Sequence, residues 1–175
     1  MFGITSLTVP AWAAIAAIAA AAVAAIMDLR TRKIPNALTI PMVVAAVIAH
    51  GALEGASGGL LALWGAVIAG GLLLPGWLMG WMGAGDVKAM AAVGACLAYP
   101  ASLVAVLASL IAGGILSLIV AARHGVTGRV LVGAARLGAW SAHPRGERVP
   151  ETTGLRFPFA AAILAGGLVS LWVRI

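Results

Sequence analysis

The chain has 175 residues, of which 9% are charged, whereas an average soluble protein carries about 25%. Hydrophobic residues make up 63% and the mean hydropathy is +1.11, so the sequence suits a lipid bilayer and argues against a soluble domain. A single cysteine, Cys96, excludes an intrachain disulfide framework and a cysteine-rich zinc site, and a net charge of +6 in so apolar a chain is typical of basic membrane loops, not of nucleic-acid binding.

The apolar stretches predict an all-α polytopic membrane protein with about six transmembrane helices in one domain, residues 1–175. The first stretch lacks the basic start of a signal peptide, so we expect a retained helix. Tyr99-Pro100 divides a later stretch that is too long for one crossing, because proline interrupts a helix. The predicted spans are residues 7–27, 37–53, 60–82, 89–99, 101–122 and 157–173.

The basic residues predict the orientation, because Lys and Arg collect in cytoplasmic loops. With both termini on the outer, periplasmic side, every Lys and Arg except Arg174 lies on the cytoplasmic side. The loop of residues 123–156 is then cytoplasmic. Within it, residues 126–140 place Arg129 and Arg136 among apolar residues, which predicts a helix lying on the membrane surface.

Two of the five carboxylates lie at the same predicted membrane face. Asp28 ends the first span and Asp86 precedes the fourth, and a carboxylate beside a span is a functional candidate because its burial is costly. If their helices adjoin, one carboxylate could take a proton from water while the other, protonated, polarises a peptide carbonyl. The sequence leaves open the alternative that each Asp only neutralises nearby basic residues. Loop solvation accounts for the remaining carboxylates, Glu54, Glu147 and Glu151.

Local features distinguish the two candidates. Gly83 and Gly85 lack a Cβ atom, so the backbone before Asp86 can turn tightly and approach a neighbouring segment. Asp86 opens a helix, where the helix dipole favours an anion, whereas Asp28 closes one, where the dipole disfavours it. We therefore expect Asp28 to hold the shared proton more often.

These motifs resemble those of the type IV prepilin peptidases, which are GxGD-type intramembrane aspartic proteases. The resemblance covers essentially the whole six-helix layout. Its motifs are Asp28 with the downstream Lys33-Ile34-Pro35-Asn36, then Gly83-x-Gly85-Asp86-x-Lys88, and Pro158-Phe159-Ala160 at the start of the last span. It implies a catalytic pair of Asp28 and Asp86, with no metal and no other cofactor.

The resemblance also implies a substrate and a location. The substrate is a prepilin whose basic leader is removed at the cytoplasmic face of the inner membrane, before its hydrophobic segment, and the pilus assembly machinery is an expected partner beside the lipid bilayer. Larger members carry a cysteine-bearing zinc insert between the first two helices and methylate the new N-terminus. Here only residues 28–36 join those helices, so the chain resembles the short branch that serves tight-adherence (Flp) pili, and we expect no methyltransferase activity.

Several residues beside the pair have two readings each. Lys88 either orients Asp86 or binds lipid phosphate, and Lys33 either sets the topology or contacts an acidic residue of the substrate. Pro35 and Asn36 are expected to shape the loop and cap the second helix. Arg156, Pro158 and Phe159 either line the substrate entry or only mark the beginning of the last helix, where proline is common.

Other membrane-protein classes fit the sequence less well. Gly55-Ala56-Ser57-Gly58 matches the GxSG of rhomboid proteases, but the last span has no His to activate the serine, and the chain has no HExxH zinc helix. The alternative that stays open is a small proton- or ion-coupled transporter that uses the two Asp residues as a relay.

Overall fold

The computed structural model describes residues 9–31, 34–78, 82–123, 125, 128 and 159–172. All regular elements among these residues are α-helices, which confirms the predicted all-α class. Three of the helices, α1, α2 and α4, are long and apolar enough to cross a membrane, whereas the six crossings and the orientation stay predictions. The helices are α1 (Ala11–Thr31), α2 (Asn36–Leu78), α3 (Ala84–Leu97), α4 (Ala101–Arg123) and α5 (Phe159–Trp172).

The long helix α2 reverses its direction at Gly55. The φ of 79° and ψ of −177° at this residue are not helical, and a positive φ is readily adopted by glycine because it has no Cβ atom. In a straight helix, residues 47 and 59 would lie about 18 Å apart. Instead, a Cβ atom built on Gly59 would lie 3.3 Å from the carbonyl oxygen of Val47. The second half of α2, residues 56–78, therefore folds back along the first half, residues 36–54.

Helix α3 packs against both halves of α2. In the second half, a Cβ atom at Gly65 would overlap the carbonyl oxygen of Gly94, and a Cβ atom at Gly94 would lie 2.5 Å from the carbonyl oxygen of Gly65. Small residues allow helix backbones to approach this closely in membrane proteins. In the first half, Nε2 of His50 lies 2.9 Å from the carbonyl oxygen of Cys96, at the end of α3.

His50 connects three helices in the interior. Its side chain is buried, and its ring centroid lies 4.6 Å from that of Trp12 on α1. Its Nδ1 lies 3.1 Å from Oε1 of Glu54, which follows one turn later on α2. The sequence does not predict this burial. A buried ring whose polar nitrogens face a carbonyl oxygen and a carboxylate is consistent with a packing role.

The chain forms two compact units, residues 1–113 with 158–175, and residues 114–157. In the first unit, α1 packs against α3 and α5 through a stripe of small residues at helical spacing. The stripe consists of the buried residues Ala13, Ala17, Ala20, Ala21 and Ala24.

The first part of α4 packs closely against α5, because an added Cβ atom at Gly166 would overlap Ser109. In the second unit, the described residues include the end of α4, where the Ser117 hydroxyl donates a hydrogen bond of 2.8 Å to the Gly114 carbonyl oxygen. The predicted surface helix of residues 126–140 falls outside the described residues apart from Gly128.

Candidate active site

Asp28 lies in the last turn of α1. The helix continues past Met27, the end of the predicted span, and stops at Thr31, whose hydroxyl donates a hydrogen bond of 2.9 Å to the Met27 carbonyl oxygen. The alanine-rich run before Asp28 contains neither glycine nor proline, which explains why the helix extends this far. The side chain of Asp28 is half-buried, so this carboxyl group stays within reach of water.

Asp86 lies in the first turn of α3, just before the predicted span that begins at residue 89. The backbone N–H of Gly83 donates a hydrogen bond of 3.2 Å to its Oδ2, as in a helix-capping arrangement. The residue is only 9% exposed. Burial raises the pKa of Asp86 from 3.8 to about 6; the Gly83 hydrogen bond opposes the increase, and the negative charge of Asp28 adds to it.

Burial shifts the pKa of Asp86 in the direction opposite to the one that the helix dipole predicts. The dipole of α3 favours an ionised Asp86, and on that basis we expected Asp86 to keep its charge. The structure gives the opposite direction for its pKa, because removing the carboxylate from water outweighs the dipole at the helix start. Asp86 therefore binds a proton more readily than an ordinary aspartate does.

Both carboxylates line one cavity of about 450 Å³. Every described residue that lines it belongs to one of the two motifs that the sequence singles out, although about 50 positions separate the motifs along the chain. The lining consists of Asp28, Ile34, Pro35, Asn36, Gly83, Ala84, Gly85, Asp86 and Lys88. The described residues contain no group of three or more His, Cys, Asp or Glu side chains that could hold a metal ion.

A close backbone approach joins the two motifs at Gly85. A Cβ atom added there would lie 3.2 Å from Cβ of Ile34 and 3.3 Å from its Cγ1, which is tighter than an ordinary contact. Ile34 is buried in this contact. The glycine is therefore needed for the close approach to the neighbouring loop, and the sequence did not identify Ile34 as its partner.

A hydrogen bond provides the second connection. Nζ of Lys88 donates to Oδ1 of Asn36 over 2.7 Å, and both side chains are exposed. Asn36 is the first residue of α2, where we expected a capping role; its side-chain oxygen instead accepts from Lys88. The carbonyl oxygen of Pro35 accepts from the backbone N–H groups of Leu38 and Thr39, in the first turn of the helix.

We expect Asn36→Ala and Lys88→Ala to lower the catalytic activity of this site by similar amounts and to be non-additive when combined. Each change removes the same bond, and a hydrogen bond to a charged but exposed group contributes about 1 kcal/mol. A double-mutant cycle on kcat/KM measures the coupling. Additive effects would contradict a shared role, and Arg123→Ala, at the end of α4, serves as a control for loss of a positive charge.

The remaining predicted site residues are Lys33, Arg156, Pro158 and Phe159. Lys33, Arg156 and Pro158 fall outside the described residues. Phe159 begins α5 and is buried, and its ring occupies the space that a Cβ atom of Gly113 would need. Phe159 is not among the residues that line the cavity, and its role at a substrate entry stays a prediction.

Long apolar helices and a cavity lined by two carboxylates define an integral membrane protein that has the groups needed for acid–base catalysis. The model of the type IV leader peptidase family matches residues 15–118, which is more than half of the chain and includes both carboxylates. The chain belongs to this family and is therefore a peptidase. Searches of curated proteins and of solved structures found no match.

Proposed function

We propose that the protein removes the basic leader from Flp-type prepilins at the cytoplasmic face of the inner membrane, using Asp28 and Asp86 to activate water. One observation carries the proposal: the two carboxylates line the same cavity, close enough for the charge of Asp28 to raise the pKa of Asp86. A pair that resists double ionisation keeps one proton up to a higher pH than separate aspartates do, and aspartic peptidases require such a shared proton.

The roles within the pair follow from burial. Asp86, the buried member with the raised pKa, holds the shared proton and donates a hydrogen bond to the carbonyl oxygen of the peptide bond. Asp28, the more exposed member, takes a proton from the attacking water. The tetrahedral intermediate then collapses as a proton passes to the leaving amine. Because the two groups are coupled, the measured pKa values belong to the pair.

The substrate class is supported by the short connection between α1 and α2. Helix α1 ends at Thr31 and α2 begins at Asn36, which leaves no room for the zinc-bearing insert of the larger relatives. We therefore assign the chain to the Flp branch and expect leader cleavage without N-terminal methylation. The excess of basic residues in the predicted cytoplasmic loops supports a cytoplasmic active site, which the pilus assembly machinery would supply with substrate.

Reconstitution in liposomes tests the proposal. Purified protein is mixed with a Flp-type prepilin in vesicles that contain a pH-sensitive dye, and the products are identified by mass spectrometry. We expect release of the intact leader and a mature pilin with an unmethylated N-terminus, with no proton flux. Protein-free vesicles control for leakage. Proton flux with uncleaved prepilin would favour the transporter and contradict the proposal.

A further inference from the structure

An apolar groove of about 260 Å³ lies between the first half of α2 and α3. Lys88 lines this groove and also the cavity that holds the two carboxylates, so the groove adjoins the site. On α2, Ile40 is 58% exposed and Val44 is 50% exposed, so the groove is open along its outer side. Its lining consists of Thr39, Ile40, Val43, Val44, Lys88 and Ala91.

Thr39 is a polar exception in this lining. The residue is 4% exposed, and its Oγ1 has no hydrogen-bond partner among the described residues. A threonine inside a helix commonly bonds the carbonyl oxygen four residues earlier, and a buried hydroxyl without a partner is unfavourable. Thr39 therefore brings a hydroxyl with unused hydrogen-bonding capacity to the wall of the groove.

We propose that the groove binds the apolar segment of the substrate that follows the cleaved bond, and that Thr39 hydrogen-bonds a main-chain group of that segment. This inference rests on the proposed function. A peptide bond must leave the helical conformation before two carboxylates can reach it, which frees main-chain N–H and C=O groups in apolar surroundings. The Thr39 hydroxyl satisfies one of them. A lipid tail would fill the same aliphatic surface but has no polar group to offer this hydroxyl.

Filling the groove tests its role in binding. We expect Val44→Trp to lower kcat/KM for the full prepilin by about tenfold or more, because the indole occupies the substrate's place. A short peptide that has the cleavage site but no apolar segment should be cleaved as by the wild type. The matched control is Val67→Trp, since Val67 is 55% exposed on the second half of α2 and lines neither the groove nor the cavity. Equal losses for both variants, or none for Val44→Trp, would overturn the proposal.

The hydroxyl is tested separately by Thr39→Val, which keeps the shape of the side chain. We expect about a threefold to tenfold loss of kcat/KM for the prepilin and an unfolding temperature no lower than that of the wild type, because the change removes a buried hydroxyl that has no partner. Full cleavage of the prepilin by Thr39→Val would contradict a hydrogen bond between the Thr39 hydroxyl and the substrate. A loss accompanied by a lower unfolding temperature would contradict a role in substrate binding.

Photocrosslinking separates failure of the groove from failure of the proposed function. A benzophenone amino acid is placed at position 44 or 67 in the Asp86→Asn protein, and prepilin is added in vesicles. We expect crosslinks to the prepilin from position 44 and not from position 67. Crosslinks from position 44 to lipid alone would overturn the proposal that the groove binds the prepilin. If the wild type cleaves no prepilin, the proposed function fails, while the crosslink still reports whether the groove is occupied.

Discussion

Asp86→Asn is expected to abolish leader cleavage and, above pH 6, to stabilise the folded protein. Asparagine cannot share the proton that the proposed mechanism requires, so we expect kcat to fall by about 10²- to 10⁴-fold or more. Asp28→Asn should cause a comparable loss, because the pair acts as a unit. Leader removal is followed by the shift in prepilin mass, at equal amounts of each protein in the membrane.

The gain in stability follows from the raised pKa of Asp86. Its pKa is about 6 in the folded protein against 3.8 ordinarily, so the folded state binds the proton more tightly. The contribution of this carboxyl group to stability is complete below pH 3.8 and is lost as the pH rises through 6. Above pH 6 the buried charge costs at most about 3 kcal/mol, at 1.36 kcal/mol per pKa unit. Asparagine at position 86 avoids this cost.

Thermal unfolding in detergent at pH 5 and pH 8, followed by tryptophan fluorescence, measures the effect. The unfolding temperature of Asp86→Asn should exceed that of the wild type at pH 8, and the difference should shrink at pH 5. Glu147→Gln, in the predicted cytoplasmic loop, is a control that should keep both activity and stability. Continued cleavage by either aspartate variant would contradict the dyad, and a difference independent of pH would contradict burial as the cause.

Gly85→Val is expected to reduce cleavage by about 10²-fold without unfolding the protein. The added side chain would collide with Ile34, because even a Cβ atom at position 85 would lie 3.2 Å from the Cβ of Ile34. The loop that carries Ile34 and Pro35 must then move away from α3 and distort the cavity. A displacement of about 1 Å at a catalytic site can cost about 10²-fold in rate.

The smaller change Gly85→Ala should give an intermediate loss, measured as kcat/KM for prepilin cleavage. Gly71→Ala is the matched control, because a Cβ atom there would have no neighbour within 4 Å. Ile34→Ala in the Gly85→Val background should restore part of the activity, since it removes the Cγ1 and Cδ1 atoms. Wild-type cleavage by Gly85→Val would show that the close approach of the loop is not required.

The sequence predicted the features that depend on local composition. Apolar runs indicated the helices, and the motifs around Asp28 and Asp86 pointed to residues that line one cavity. The raised pKa of Asp86 was not predictable, because the dipole argument uses only the position of Asp86 in its own helix. The burial that raises its pKa arises from the tertiary packing of the protein.

Contacts between segments that are distant in the chain also could not be predicted from the sequence. Lys88 and Asn36 are 52 positions apart, and nothing in either motif identifies the other side chain as its hydrogen-bond partner. Ile34 belongs to one of the motifs, but its contact with Gly85 depends on how the loop before α2 packs against α3. The buried Thr39 and His50 likewise appear as unremarkable residues of an apolar stretch until the helices are packed.

The packing of α3 against both halves of α2 bears on when the protein becomes active. These segments follow one another in the chain, and contacts between sequence neighbours form quickly during folding. Asp28 lies outside this local group, on α1, which packs against α3 and against the distant α5. On the proposed mechanism, a chain in which only the local group has assembled carries Asp86 without its partner. Such a chain lacks the second carboxylate of the pair and is expected to hydrolyse peptides in the membrane only once α1 has docked.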